Sequence, residues 1–217
     1  MATVRKQRRG DEGSGRGIAG ANGFAICAML AVLLCAGPAL GTTIESLLEP
    51  FTGGHASVRV TISDEDASLA DGELLVTVEV LDGGAIRGVF LDLADDSLLG
   101  GIEVDGDYVT DVETGDVINL GGGSNLHGGG SPCPCDLGVE IGTPGGSRDF
   151  IQSTSFTLSS AYGDLDISLF FDQNVGVRLS PRNSSKLGGV LPVPEPSTAA
   201  LLGLGVVGLG LRRKLRS

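Results

Sequence analysis

Few residues in this 217-residue chain are suited to chemistry. It has two histidines, His55 and His127, and four cysteines. His127, Cys133 and Cys135 form a His-x5-Cys-x-Cys arrangement inside a glycine-rich stretch. Nitrogen and thiolate donors of this kind bind soft metals, but structural zinc sites space paired thiols roughly two to four residues apart. In an oxidising compartment a Cys133–Cys135 disulfide is the plainer reading. Its ring across Pro134 is tight, so free thiols or pairing with another chain stand beside it. No Gly-x-Ser-x-Gly elbow occurs, and neither histidine has a triad context, so no serine nucleophile is assigned.

Carboxylates are the abundant reactive group. Asp64-Glu65-Asp66, Asp92 with Asp95 and Asp96, Asp105-Gly106-Asp107, and Asp111 with Glu113 and Asp116 all fall on predicted turns. Calcium takes about six to eight oxygens, which alternating loop carboxylates can supply. Asp105, Asp107 and Asp111 are the candidate ligands, although the longer Asp series and closing Glu of a calcium loop are missing; solvated turn carboxylates are the simpler reading. Paired carboxylates also hydrolyse glycosides. Such clefts stack sugars on aromatic rings, however, and the chain has two tyrosines and no tryptophan. A non-enzyme without a resident cofactor is therefore expected. A calcium-dependent binding module is the alternative, and a carboxylate hydrolase a more distant one.

The elements that carry these residues read as short strands, at 58–62, 73–80, 86–93, 101–104, 117–120, 137–141, 153–158, 165–171 and 175–179. In the second, Leu74, Val76, Val78 and Val80 share one face, and Thr77 and Glu79 share the other, the alternation of a half-buried strand. Asp-Gly and Gly-Gly pairs bound the strands as turns. The pattern predicts an all-β fold, an antiparallel β-sandwich of about nine short strands over residues 42–182. Residues 121–134 form a loop and 183–193 a linker.

Charge separates the middle from the ends. Residues 42–193 hold six basic and 24 acidic residues, within an overall net charge of −12. Such a field disfavours nucleic acid and anionic membrane surfaces as partners and keeps a chain soluble among polyanions.

Residues 1–41 read as a signal peptide. Arg5, Lys6, Arg8, Arg9 and Arg16 precede an uncharged apolar run from Phe24 to Ala36, and Ala39-Leu40-Gly41 supplies the small residues for cleavage between Gly41 and Thr42. The apolar run is shorter than the ~20 residues of a spanning helix, so a retained anchor is the lesser reading. Asp11 and Glu12 follow Arg8-Arg9 where a twin-arginine signal needs apolar residues, and Leu34 precedes Cys35 where lipidation needs a small one.

Residues 194–217 have three ordered parts. Pro194-Glu195-Pro196 comes first, an uncharged apolar helix over 199–211 second, and a basic stop of Arg212, Arg213, Lys214 and Arg216 last. The apolar segment reaches only about 20 Å, marginal for a permanent transmembrane helix. The positive-inside rule places the basic tail in the cytoplasm and residues 42–193 outside.

This C-terminal combination resembles the PEP-CTERM sorting signal. The resemblance implies an exported protein of a Gram-negative bacterium that makes exopolysaccharide. Sec-type export machinery and a membrane-embedded exosortase would be its partners, and Pro194-Glu195-Pro196 the recognition motif. It implies an inner-membrane intermediate, then the cell surface or extracellular matrix, with extracellular polysaccharide as a further partner. An ordinary C-terminal anchor is the alternative. Gly88-Val89-Phe90-Leu91-Asp92, Leu137–Thr143, Ile151–Leu158, Gly176-Val177-Arg178-Leu179 and Ser184–Leu187 resemble an uncharacterised secreted domain common in such proteins, which implies export but no chemistry. The expected role is a structural or adhesive component.

Overall fold

The computed structural model describes residues 41–131, 134–144, 149–180 and 185–194. The chain divides into two compact units, 1–40 and 41–217. The expected signal helix and the C-terminal helix at 199–211 with its basic tail lie outside the described residues.

Ten strands follow one another: β1 (Thr43–Thr52), β2 (Ser57–Ser63), β3 (Leu74–Asp82), β4 (Ile86–Leu91), β5 (Ile102–Asp105), β6 (Val109–Val117), β7 (Cys135–Ile141), β8 (Ser153–Ser160), β9 (Asn174–Leu179) and β10 (Lys186–Val190). Among the described residues the helical pieces are two 3-10 turns, Asp96–Gly101 and Ile167–Phe170. The strands form one antiparallel sheet in the order β5-β8-β3-β2-β1-β10-β9-β4-β7-β6. All-β and antiparallel hold as expected, but the sandwich of about nine strands is corrected to a single ten-stranded, nearly barrel-like sheet.

β1 makes the sheet continuous. Its first part, Thr43–Leu48, pairs with β2, and Glu49–Thr52 pairs with β10 across a register shift at Pro50. Proline lacks the ladder N–H and settles at such irregularities.

Alternation drives the core. Val58, Val60 and Ile62 of β2 and Leu74, Val76 and Val78 of β3 point inward at 1% exposure or less. They meet Val89, Leu91, Val139, Phe156, Val177 and Leu187 in one cluster. Full burial of each such side chain is worth about 1.5–3 kcal/mol before entropy is counted.

β4 is buried along its whole length. Its outer face carries a second cluster of Phe90, Val117, Leu120, Leu126 and Cys135. Phe90 lies between Gly138 on β7 and Gly176 on β9. A Cβ at Gly138 would sit 2.6 Å from Val117 Cγ1, and one at Gly176 would overlap Leu126 Cδ1. The two glycines thus let the loop after β6 lie directly on the sheet.

Four expectations are corrected. β1 and β6 were not expected as strands. Stretch 165–171 is a capped 3-10 turn, because Asp166 Oδ1 accepts from Ser168 N at 2.8 Å and Leu165, Ile167 and Phe170 point inward. Stretch 117–120 leaves β6 at Val117 and turns into the loop, with a single bridge between Asn119 and Asn125. Stretch 183–193, expected as a linker, contains β10 in the middle of the sheet order, so the domain continues past 182 to Leu191.

Candidate functional site

The sorting end begins where the fold stops. Leu191 is fully buried, donates its N–H to Gln173 O at 2.9 Å and accepts from Asp172 N at 2.9 Å. Pro192 and Val193 are exposed and Pro194 is half-buried, so the Pro-Glu-Pro motif opens three residues beyond the last core side chain. Glu195 and Pro196, like Arg212, Arg213, Lys214 and Arg216, lie outside the described residues.

The expected cleavage point is also at the edge of the fold. Gly41 and Thr42 immediately precede β1. The antiparallel pairing of β1 with β10 brings the start of β1 and the end of β10 to the same pole of the sheet. At this pole lie the connections 64–73, 92–101 and 161–173, which hold eleven carboxylates and no lysine or arginine.

Three carboxylates there and nearby are chemically unusual. Asp92 accepts from Asn174 Nδ2 at 2.8 Å, and Asp136 accepts from the Leu93 N–H at 2.9 Å. Burial pushes the Asp92 carboxyl up, and the charge of Asp136 adds to it. Burial likewise raises Asp136, with Asp96 and Asp116 contributing. Glu140 on β7 is 4% exposed. Its carboxyl is raised first by burial and then by Asp111, against opposition from Ser124 and Arg87. These three groups favour the neutral acid more than an ordinary carboxylate does.

The candidate calcium ligands Asp105, Asp107 and Asp111 are exposed. Among the described residues no three histidine, cysteine or acidic side chains come together closely enough to hold a metal ion.

The glycine-rich loop carries His127 but uses its backbone. Lys186 Nζ donates to Asn125 Oδ1 at 2.7 Å and to His127 O. Arg178 Nε donates to Gly123 O at 3.2 Å. Burial and the neighbouring Arg178 lower the Lys186 ammonium from its ordinary range. Cys135, at the end of this loop, is fully buried and disulfide-bonded. Cys133 lies outside the described residues.

His55 lines a shallow cleft of about 350 Å³ at the β1–β2 hairpin, with Leu47, Glu49, Pro50, Ala56, Ser57 and Asp82. None of Asp92, Asp136 and Glu140 lines it. Sequence reasoning missed the Asp92–Asp136 pair, because Asp92 follows β4, Asp136 lies on β7 and nothing local marks Asp136. It also missed Lys186, which fell inside the presumed linker.

Residues 192–214 match the PEP-CTERM protein-sorting motif. No curated protein and no solved structure matches the chain. The motif marks an exported protein that passes through a membrane-anchored stage and is sorted by an exosortase. Among the described residues no helix is long and apolar enough to cross a membrane. The apolar run of the motif lies outside them.

Proposed function

We propose that the domain is a non-enzymatic structural or adhesive component of the surface or extracellular polysaccharide matrix of a Gram-negative bacterium. Sec-type export delivers it, and the signal peptide is cut between Gly41 and Thr42. The C-terminal segment holds it in the inner membrane until an exosortase acts at Pro194-Glu195-Pro196. The observation that carries this reading is the sorting motif over 192–214, which begins one residue after the buried Leu191.

Two features favour a matrix role over catalysis. The raised carboxyls of Asp92, Asp136 and Glu140 do not line the hairpin cleft. The acidic surface also suits solubility among polyanionic polymers. No resident cofactor is assigned.

Full-length protein produced in hosts with and without an exosortase tests the reading by mass spectrometry of the surface form. The expected product lacks its C-terminal tail only where the exosortase is present. A surface form intact through Ser217 in both hosts would sink the proposal and favour a plain anchor.

A further inference from the structure

The first described residues meet the β2–β3 connection in both directions. Thr42 N donates to Asp64 Oδ1, and Thr42 O accepts from Asp64 N at 3.2 Å. One residue on, Thr43 Oγ1 and Ser63 Oγ are hydrogen-bonded at 2.9 Å. Gly41 lies under the same turn, where a Cβ would overlap Glu65 Cγ and sit 3.0 Å from Asp64 Oδ1. The third acid of the turn faces elsewhere, since Asp66 Oδ1 accepts from both the N–H and the hydroxyl of Ser68. No lysine or arginine occurs between residues 60 and 86.

We propose that Asp64, with Glu65 beside it, is a binding site for the α-ammonium of Thr42 that signal-peptide cleavage creates. The inference rests on the cleavage reading above. Hydrolysis by a signal peptidase adds one water across the Gly41–Thr42 peptide bond. Gly41 departs with the leader as a carboxylate, and Thr42 keeps the nitrogen, which is protonated to an ammonium. A neutral amide donor on Asp64 thereby becomes a cationic one at the same position. Charge-assisted hydrogen bonds are roughly twice as strong as neutral ones. Asp64 is the carboxylate bonded to this nitrogen, and the Glu65 side chain lies beside Gly41; the neighbouring partners on β1 and β2, Thr43 and Ser63, are uncharged.

Processing on this account changes the fold as well as the address. Chain ends fray unless something ties them down, and here the cut strengthens the tie that already holds the start of β1. While the leader is attached, Gly41 leaves room for Glu65 to close over the chain, and it is also the small residue that the peptidase needs.

The test uses full-length protein exported by its host and recovered from the surface. Its first residue is identified, and the pH midpoint for acylation of the N-terminal amine is followed peptide by peptide with mass spectrometry. Thr42 is expected first, with its amine titrating above the ordinary α-amino range of about 7.7–8.0. Asp64→Asn is expected to return the midpoint to that range and to lower the melting temperature by about 1–4 °C. If that variant fails to fold, the native protein measured with and without urea makes the same comparison, the midpoint falling on unfolding. Thr42 first with an unshifted midpoint overturns the ion pair and leaves the processing reading standing. Any other first residue overturns both.

Discussion

Ser46 Oγ donates to the backbone oxygen of Val190 at 3.0 Å, and so ties the first strand to the end of the last. Ser46 faces inward at 8% exposure, an unusual place for a hydroxyl in an alternating strand. Ser46→Ala removes the donor and leaves the Val190 carbonyl without it. The expected cost is about 1 kcal/mol, a fall of roughly 2–4 °C in melting temperature. Thermal unfolding followed by circular dichroism measures it.

The clamp on the glycine loop separates local from global stability. Lys186→Met keeps the aliphatic stem and removes the donor to Asn125 Oδ1 and His127 O. Hydrogen bonds to a charged group are worth about 1.5–3 kcal/mol. Amide exchange at residues 121–130 is expected to rise about tenfold or more. Exchange in β2 and β3 should be unchanged, and mass spectrometry resolves the two regions.

The Asp92–Asp136 pair gives a pH signature with a definite sign. Burial raises both carboxyls above the ordinary value of 3.8, with the charge of Asp136 adding at Asp92 and the charges of Asp96 and Asp116 adding at Asp136. Such a group binds protons more readily in the folded protein than in the unfolded chain. The unfavourable contribution is therefore complete at neutral pH. It shrinks as pH falls through the folded value and is gone below the unfolded one. Asp92→Asn retains an acceptor for Asn174 and removes one charge. It is expected to raise the melting temperature at pH 7 by roughly 1–4 °C. Melting curves between pH 3 and 7 should show the gain vanish at the acid end.

Gly138→Ala tests the contact between the loop and the sheet. The added methyl would approach Val117 Cγ1 to 2.6 Å and Leu120 Cδ2 to 2.8 Å, with both side chains packed in the second cluster. Overpacking of this kind costs about 1–3 kcal/mol. Urea denaturation is the measurement, and Gly115→Ala checks locality. A Cβ at Gly115 meets nothing within 4 Å, so its cost comes only from the backbone, whose φ is 101°.

Calcium titration checks the exposed acids. With Asp105, Asp107 and Asp111 unconverged, added calcium is expected to give no binding heat and no melting shift in the exported protein. A saturable heat at one-to-one stoichiometry would revive a calcium-dependent module.

Legibility in the sequence followed the strength of alternation. β2 and β3 bury every second residue and were readable. β6 has a burial rhythm closer to three, because register shifts interrupt its pairing with β7 twice. A search for period two passes over it. β1 places Ser46 inside and Leu47, 57% exposed, outside, which inverts the expected pattern in mid-strand. β10 carries Gly188-Gly189, follows the polar stretch Ser180-Pro181-Arg182-Asn183-Ser184-Ser185 and precedes Pro192 and Pro194, so it reads as a linker until β1 and β9 claim it. The sorting motif was legible because its three parts follow one another in sequence. The Asp92–Asp136 pair and the Lys186 clamp arise only from strand register, which no local pattern records.

The position of β10 has a consequence for timing. A chain emerging from a membrane with its N-terminus first presents nine strands before the tenth is available. The two groups of strands, β5-β8-β3-β2-β1 and β9-β4-β7-β6, are joined edge to edge only through β10. The pairing of Glu49 with Gly188 closes a very long loop, and pairings so distant in sequence are slow to form. The keystone clears the exit only when the apolar sorting segment, eight residues past Leu191, is about to enter it. Maturation of the sheet and arrest in the membrane thus fall at the same moment, and an incomplete chain delivers neither.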